Sequence, residues 1–482
     1  MARSLFESVV AVSAVLALAC ACAEVPADAA PAKAPARTEP QKAPEVANPC
    51  NAHYAAGFAL KAASTSESPK RSATPPKPAK GVAIIDPDSG TCFVRATAHD
   101  DEPPTGFARN DYSRREAFNA DETKFLVSAR DGFWHLYDAR TLRWLKQFKG
   151  PAGDAEPQWD HADPNIFYYV PNNGGTELNR MHIDSGETDL AIDLAPLLPK
   201  WAAKAEHIWT RSEGAPSLDD RYWGFQIEDH DFKILGFMVL DLTTKKLVGS
   251  RQETSIRPDN VTMSPSGRWF IVSGTTTDPT WAWSPDFTKK KKLHHRVEHA
   301  DVATTANGHD VYVSIDYEAS GGPLFYTDLD ACEAVDADAR DAPICPRTRL
   351  FNVYERRYAS ALHISGNAHR TPGWIAVSTY ALVTPNVDPP PPRPWYTDAI
   401  FAVELAPSPR IFALGAHHSN VSRCYPAEPQ ASVGRDFTKI LFNSNWGASE
   451  NCRPDDPKEP AELHDIDAYL MTLPAHALPE AR

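Results

Sequence analysis

The chain has no run of eighteen apolar residues, so no stretch of it reads as a membrane-spanning helix. It has no basic surplus either: Lys and Arg number 49 against 63 Asp and Glu, a net charge of −14. Without a basic footprint, nucleic acid is excluded as the main partner. No C-x-x-C pair occurs, which disfavours zinc held on cysteines. G-x-S-x-G, H-E-x-x-H, P-loop and dinucleotide fingerprints are absent too, and with them the chemistries they carry. Helical periodicity is missing outside a short stretch from Leu194 to Ala205. What the chain has in excess is proline, 43 in 482 residues, about 9% against a usual value of about 5%.

Val9 to Ala19 is an apolar segment of signal-peptide length that follows Arg3, so residues 1–23 read as an export signal. Ala17-Leu18-Ala19-Cys20 resembles a bacterial lipobox, which would make Cys20 the lipidated residue; cleavage after Ala23 is the other reading. Either way the protein is expected outside the cytoplasm, in the periplasm, on the outer membrane or at the cell surface. Any contact with the membrane would be made through an N-terminal lipid. Of the eight cysteines, two fall in this leader, and the remaining six suggest disulfides. Fifteen pairings are open; local closure favours Cys50–Cys92, Cys332–Cys345 and Cys424–Cys452. Residues 24–80 are rich in Ala, Pro, Lys and Glu and read as a disordered linker, with Cys50, Tyr54 and Phe58 able to pin part of it back.

Residues 81–475 repeat. Short runs of Val, Ile, Phe, Tyr and Trp alternate with turns of Asp, Gly, Asn and Pro, the pattern of strands in small antiparallel sheets. Seven units begin near Glu116, Glu156, Ala215, Asp259, His299, Ala361 and Glu428. Such sheets bury both faces by stacking radially, so the expected fold is an all-β, seven-bladed β-propeller. At roughly 56 residues per unit, longer than tight propeller repeats, some loops must be long. Ser273–Glu298, Asp330–Tyr358 and Leu382–Asp398 are the candidates, and the early strands at 82–97 are expected to complete the last blade.

The Ser264–Val272 and Asp241–Thr244 segments resemble TolB-type, WD40-like repeats. His363–Tyr380 and Tyr425–Gly447 resemble exported bacterial propellers related to oligogalacturonate lyases. That resemblance implies a manganese-type ion on late-blade His and Gln residues. Here His299 stands at the start of a blade, and Tyr425, Glu428 and Gln430 take the positions of Gln, His and His. His299, Glu428 and Gln430 could hold Mn, Ca or Zn.

Residues at the starts of the inner strands should face the central channel: Arg115, Glu156, Asn260, His299, Asp301, His363, Glu428 and Gln430. Glu156, Trp159, Asn260, Asp301 and Tyr425 are the candidate ligand contacts. For β-elimination His363 would be the base and Arg115, beside Arg114 and Arg109, the carboxylate clamp. Lys289–His295 reads as a solvated loop, His417–His418 as a rim pair, Pro389–Trp395 as a stiff spacer. Trp281 and Trp283 read equally as a sugar platform or as packing over a blade edge. The expected protein is a monomer that binds a small glycan or a protein at its channel; the alternative is a metal-assisted lyase on uronate oligosaccharides.

Overall fold

A computed structural model describes residues 47–65, 73–102, 107–421, 424–448 and 465–482. The expected leader with Cys20, and Cys452, lie outside the described residues.

The body is a seven-bladed propeller. Blade two is a regular unit, running Gln158–Trp159, Ile166–Tyr169, Glu177–His182 and Glu187–Asp193 from the inside outward. Blades three and five repeat this four-stranded antiparallel order, and blade six adds a fifth strand, Tyr354–Glu355, paired with its inner strand Tyr358–Ser365. The chain closes the ring with strands from both of its ends. In blade seven Ser432–Val433, Lys439–Ser444 and Ile466–Thr472 are followed by the early strand Cys92–Arg95, which pairs antiparallel with Ile466–Thr472. Ala83–Ile85 is added at the edge. This is the closure expected for residues 82–97. Phe107–Arg109 then pairs parallel with Ile466–Thr472 and antiparallel with the first long strand of blade one, so these two blades form one continuous sheet.

The apolar residues sit between blades. One cluster joins Trp374 and Ile400 of blade six to Phe442, Tyr469 and Met471 of blade seven. The turns that end the inner strands are held by short polar side chains. In blade four, Ser264 bonds Trp269 through both main chain and side chain, and Gly267 takes the left-handed φ of 74° that the turn requires. Ser266 then donates to Asp310 of blade five, tying neighbouring blades.

The structure corrects several expectations. Ser273–Glu298 is not a long loop: Thr280–Trp283 and Lys289–His294 are the third and fourth strands of blade four. The lysine run forms a strand because its stems pack on indole rings. Lys290 Nζ lies 4.7 Å from the Trp281 ring centre and Lys291 Nζ 3.9 Å from that of Trp269. The tryptophans are therefore covered within blade four. Blade three begins at His207–Trp209, before Ala215, because two left-handed residues, Arg211 (φ 62°) and Ser212 (φ 76°), interrupt its inner strand and hide it from a pattern search. Asp330–Tyr358 contributes the outer strand of blade five, Thr348–Asn352, whereas 384–398 is free of strands. Leu194–Ala205 forms two 3-10 turns, Ala195–Leu197 and Lys200–Ala202.

Residues 47–62, within the stretch read as linker, pack on the propeller. Cys50 is disulfide-bonded to Cys92, Tyr54 Oη donates to the Thr472 carbonyl at 2.5 Å, Leu60 enters the core, and Ala62 bridges Phe412. Closing a loop over a sequence separation of 42 contributes about 4 kcal/mol on the chain-entropy view. Cys332 pairs with Cys345, and Cys424 is also disulfide-bonded.

Candidate functional site

The inner strands of all seven blades enclose a cavity of about 220 Å³ along the axis. Arg114, Gln158, Glu213, Thr262, Asp301, Asn367 and Arg435 line it, one from each blade or the segment leading into it. In the late blades, polar side chains that are not among those lining this cavity meet around His363 Nε2. Tyr380 Oη lies 3.1 Å from it, Gln430 Nε2 3.1 Å and Glu428 Oε2 3.2 Å. Gln430 Nε2 also donates to Glu428 Oε2 at 3.3 Å. The His363 ring stacks on Tyr380 at 4.4 Å and meets His299 and Tyr112 edge-on at 5.0 and 5.5 Å.

Local backbone explains these positions. His363 and Tyr380 are diagonal neighbours on two adjacent strands of blade six, Tyr358–Ser365 and Trp374–Val383, where His363 is opposite Ser378 and Tyr380 opposite Ala361. Gln430 has a left-handed φ of 42°, its carbonyl accepts from Asn110 Nδ2 at 2.6 Å, and its Oε1 accepts from the Ser113 amide at 3.2 Å. This leaves the amide nitrogen to face His363. Burial pushes the Glu428 carboxyl up to about 8, although a hydrogen bond from Tyr380 favours its charged form. Burial, then the neighbouring His363, pushes His299 down to about 3. Burial and then the Arg114 charge hold His363 far below the ordinary imidazole range. Burial thus favours the uncharged forms of Glu428, His299 and His363. His363 Nδ1 is buried with no hydrogen-bond partner.

Other expected site residues serve the fold. Arg115 donates from Nε to Asp111 Oδ2 at 2.7 Å, from Nη1 to the Pro157 carbonyl at 3.2 Å and from Nη2 to the Ser212 carbonyl. Each of its three nitrogens thus has a protein acceptor, and it is not among the residues lining the cavity. Arg114 is the arginine that lines the channel, with Nη1 3.1 Å from Glu213 Oε2. Glu156 accepts from the Thr210 amide at 2.9 Å and from the Ser212 amide, holding the left-handed bend of blade three. Burial, against these amides, pushes its carboxyl up to about 7. Trp159 is in a hydrophobic cluster, though it edges the cavity. Asp301 accepts from the Gly366 amide at 2.6 Å and the Val302 amide at 2.8 Å. Asn260 donates to Glu213 Oε2 at 3.2 Å. Tyr425 stands 47% exposed on the turn Tyr425–Ala427. His417 is no rim residue: it is fully buried, with Nε2 2.9 Å from the Thr379 carbonyl. Sequence reasoning missed Tyr112, Tyr380 and Glu213. Arg114 was legible as a neighbour of Arg115, but nothing in the sequence says which of the two turns inward.

Of the expected metal set, Glu428 and Gln430 stand together, and His299 meets Tyr380 beside them. His299 Nε2 approaches Tyr380 Oη at 3.5 Å, and His363 takes the place beside Glu428 and Gln430. A ring that binds a metal through one nitrogen donates its other N–H to an acceptor, and His363 Nδ1 has none. Among the described residues, the His, Cys, Asp and Glu groups with three ligand atoms within 4.8 Å lie elsewhere: His294–His295–Asp316, Asp160–His161–Asp220 and His309–Asp328–Asp330. The residues around His363 therefore do not fit the manganese-type site that the resemblance implies.

No protein-family model and no curated protein matches the chain. Solved structures share its fold. An oligogalacturonate lyase in complex with manganese aligns with TM-score 0.51 at 15% identity, over 82% of this chain and 96% of the other. The oligogalacturonate lyase of Vibrio parahaemolyticus aligns with TM-score 0.52 at 12% identity over the same shares. The Pan2 WD40 domain of Neurospora crassa aligns at 12% identity and TM-score 0.40, over 75% and 89%. The chain is accordingly a β-propeller that resembles, at a distance, the fold of the oligogalacturonate lyases.

Proposed function

We propose that this protein is an exported propeller that binds a small polyhydroxylated ligand, of the glycan class, at the late-blade mouth of its channel. One observation carries the reading: Tyr380, Gln430 and Glu428, from blades six and seven, converge on a buried histidine beside a polar axial cavity. Uncharged hydrogen-bonding groups with tyrosine faces between them suit sugar hydroxyls and rings. The disulfides support an oxidising compartment, and with the N-terminal signal they favour export and a lipid on Cys20. Titration calorimetry with a panel of neutral and acidic tetrasaccharides tests the reading. Binding should fall at least tenfold in His363→Ala and in Tyr380→Phe; an affinity unchanged in both would remove the channel mouth as the site. Mass analysis of the mature N-terminus in wild type and Cys20→Ala tests the lipid.

The alternative, metal-assisted lysis of uronate oligosaccharides, has the shared fold in its favour. The donor set described above does not support it, and Arg115 is not available as its clamp.

A further inference from the structure

We infer that the outer edges of blades three and four carry a second binding site, away from the channel, for a tetrahedral oxyanion: the sulfate or phosphate ester of a sugar. The site is independent of the channel reading. Its core is a pair of cations, Lys290 and Arg251, set on the rings of Trp281 and Trp283.

Lys290 lies on the fourth strand of blade four, directly opposite Trp283 on the third. Its Nζ is 4.7 Å from the Trp281 ring centre and 5.2 Å from that of Trp283. Arg251 comes from Lys246–Gln252, the outer strand of blade three, and its guanidinium carbon is 4.5 Å from the same Trp283 centre. Gly249, on the same strand face as Arg251, permits this approach. A Cβ there would stand 2.5 Å from the Pro285 carbonyl oxygen, in the turn that follows Trp283.

The other lysines of the strand have acceptors. Lys289 Nζ donates to Asp336 at 2.6 Å, Lys292 Nζ to Asp341 at 3.3 Å and Lys291 Nζ to the Leu329 carbonyl. Among the described residues, neither Lys290 Nζ nor the Arg251 guanidinium has a hydrogen-bond acceptor. The exposed Asp338 acts on Lys290 only through space. Lys290 is nevertheless just 8% exposed. Burial and then the Arg251 charge hold its ammonium below the ordinary lysine range. Like charges held together, one of them desolvated, form an unfavourable arrangement that a bound anion relieves. The indole faces offset part of the cost but do not take the directed N–H bonds of either group.

The donors select the shape of the anion. A guanidinium fork takes two oxygens side by side, which occupies both oxygens of a carboxylate. A sulfate or phosphate ester has a third oxygen left for the ammonium. Trp281, only partly buried at the edge of its cluster, gives the sugar an apolar ring to lie against.

Calorimetric titration of the full chain with glucose 6-sulfate, glucose 6-phosphate, glucuronate and glucose tests the site. Both esters should bind at least tenfold tighter than glucuronate, and their affinity should fall as salt is raised. Lys290→Met, which keeps an apolar stem on the indoles, and Arg251→Gln should each weaken the esters at least fivefold. Should Lys290→Met melt well below wild type, Arg251→Gln carries the test alone. Glucuronate bound as tightly as the esters, or ester affinity within twofold of wild type in Arg251→Gln, would overturn the inference. Ester binding lost in His363→Ala but kept in both blade variants would also overturn it, by moving the ester to the channel, and would leave the channel reading standing.

Discussion

Glu156 and Glu428 stand at equivalent places, each just before the inner strand of its blade, and each is buried with its carboxyl pushed upward. Their partners differ in kind. Glu156 is bonded to backbone amides of the next blade and fixes a bend there. Glu428 is bonded to side chains from blade six and its own strand, in a group that contains an unpartnered ring nitrogen. The same comparison separates Arg115, whose contacts include two carbonyls, from Arg114, whose contact is a side chain in the channel. Polar groups that saturate backbone are part of the scaffold; polar groups that chiefly meet one another, around an unsatisfied atom, are the ones left for a ligand.

The largest expected effect falls on the scaffold side. Glu156→Ala strands the Thr210 and Ser212 amides and should cost about 3 kcal/mol in urea unfolding. Arg115→Ala should follow at about 2 kcal/mol, since it frees two buried carbonyls and breaks a contact to Asp111. Values near zero for both would erase the distinction.

On the other side, pH should separate the two variants of Glu428. Its ordinary value is 4.5 and its folded value about 8. A raised carboxyl contributes stability that is complete below pH 4.5 and is lost as pH rises through about 8. Wild type should therefore lose stability relative to Glu428→Gln between pH 5 and 9, with other raised carboxyls cancelling in the difference. Parallel curves would show that Glu428 is not held protonated. The smallest effect is expected at His363: His363→Leu removes an unpartnered Nδ1 but also strands the Tyr380 and Gln430 groups that meet Nε2, and should cost about 1 kcal/mol.

Much of this architecture was legible in the chain. Short β-rich runs broken by turn residues repeat, and repetition specifies blades whatever the side chains do in detail. The closure of the ring by residues 82–97 was legible for the same reason: a strand pattern ahead of the first unit has to pair somewhere. The lysine strand of blade four was not, because hydropathy counts Lys290 and Lys291 as polar, while their stems lie on tryptophan rings. In the site, His363, Glu428 and Gln430 were legible by position, whereas Tyr380 sits on a second strand, where period-two patterning reads it as core. Which of Arg114 and Arg115 faces the channel depends on a single residue of register, and sequence pattern does not fix that at the start of a strand.

The central claim is that the late-blade mouth binds ligand while the early-blade acid and arginine hold the frame. Calorimetric titration of the tetrasaccharide that binds wild type best, repeated on His363→Ala and Arg115→Ala below their melting temperatures, tests it most directly. Affinity should fall at least tenfold in His363→Ala and stay within threefold of wild type in Arg115→Ala. The reverse pattern, binding lost with Arg115 and kept without His363, would contradict it.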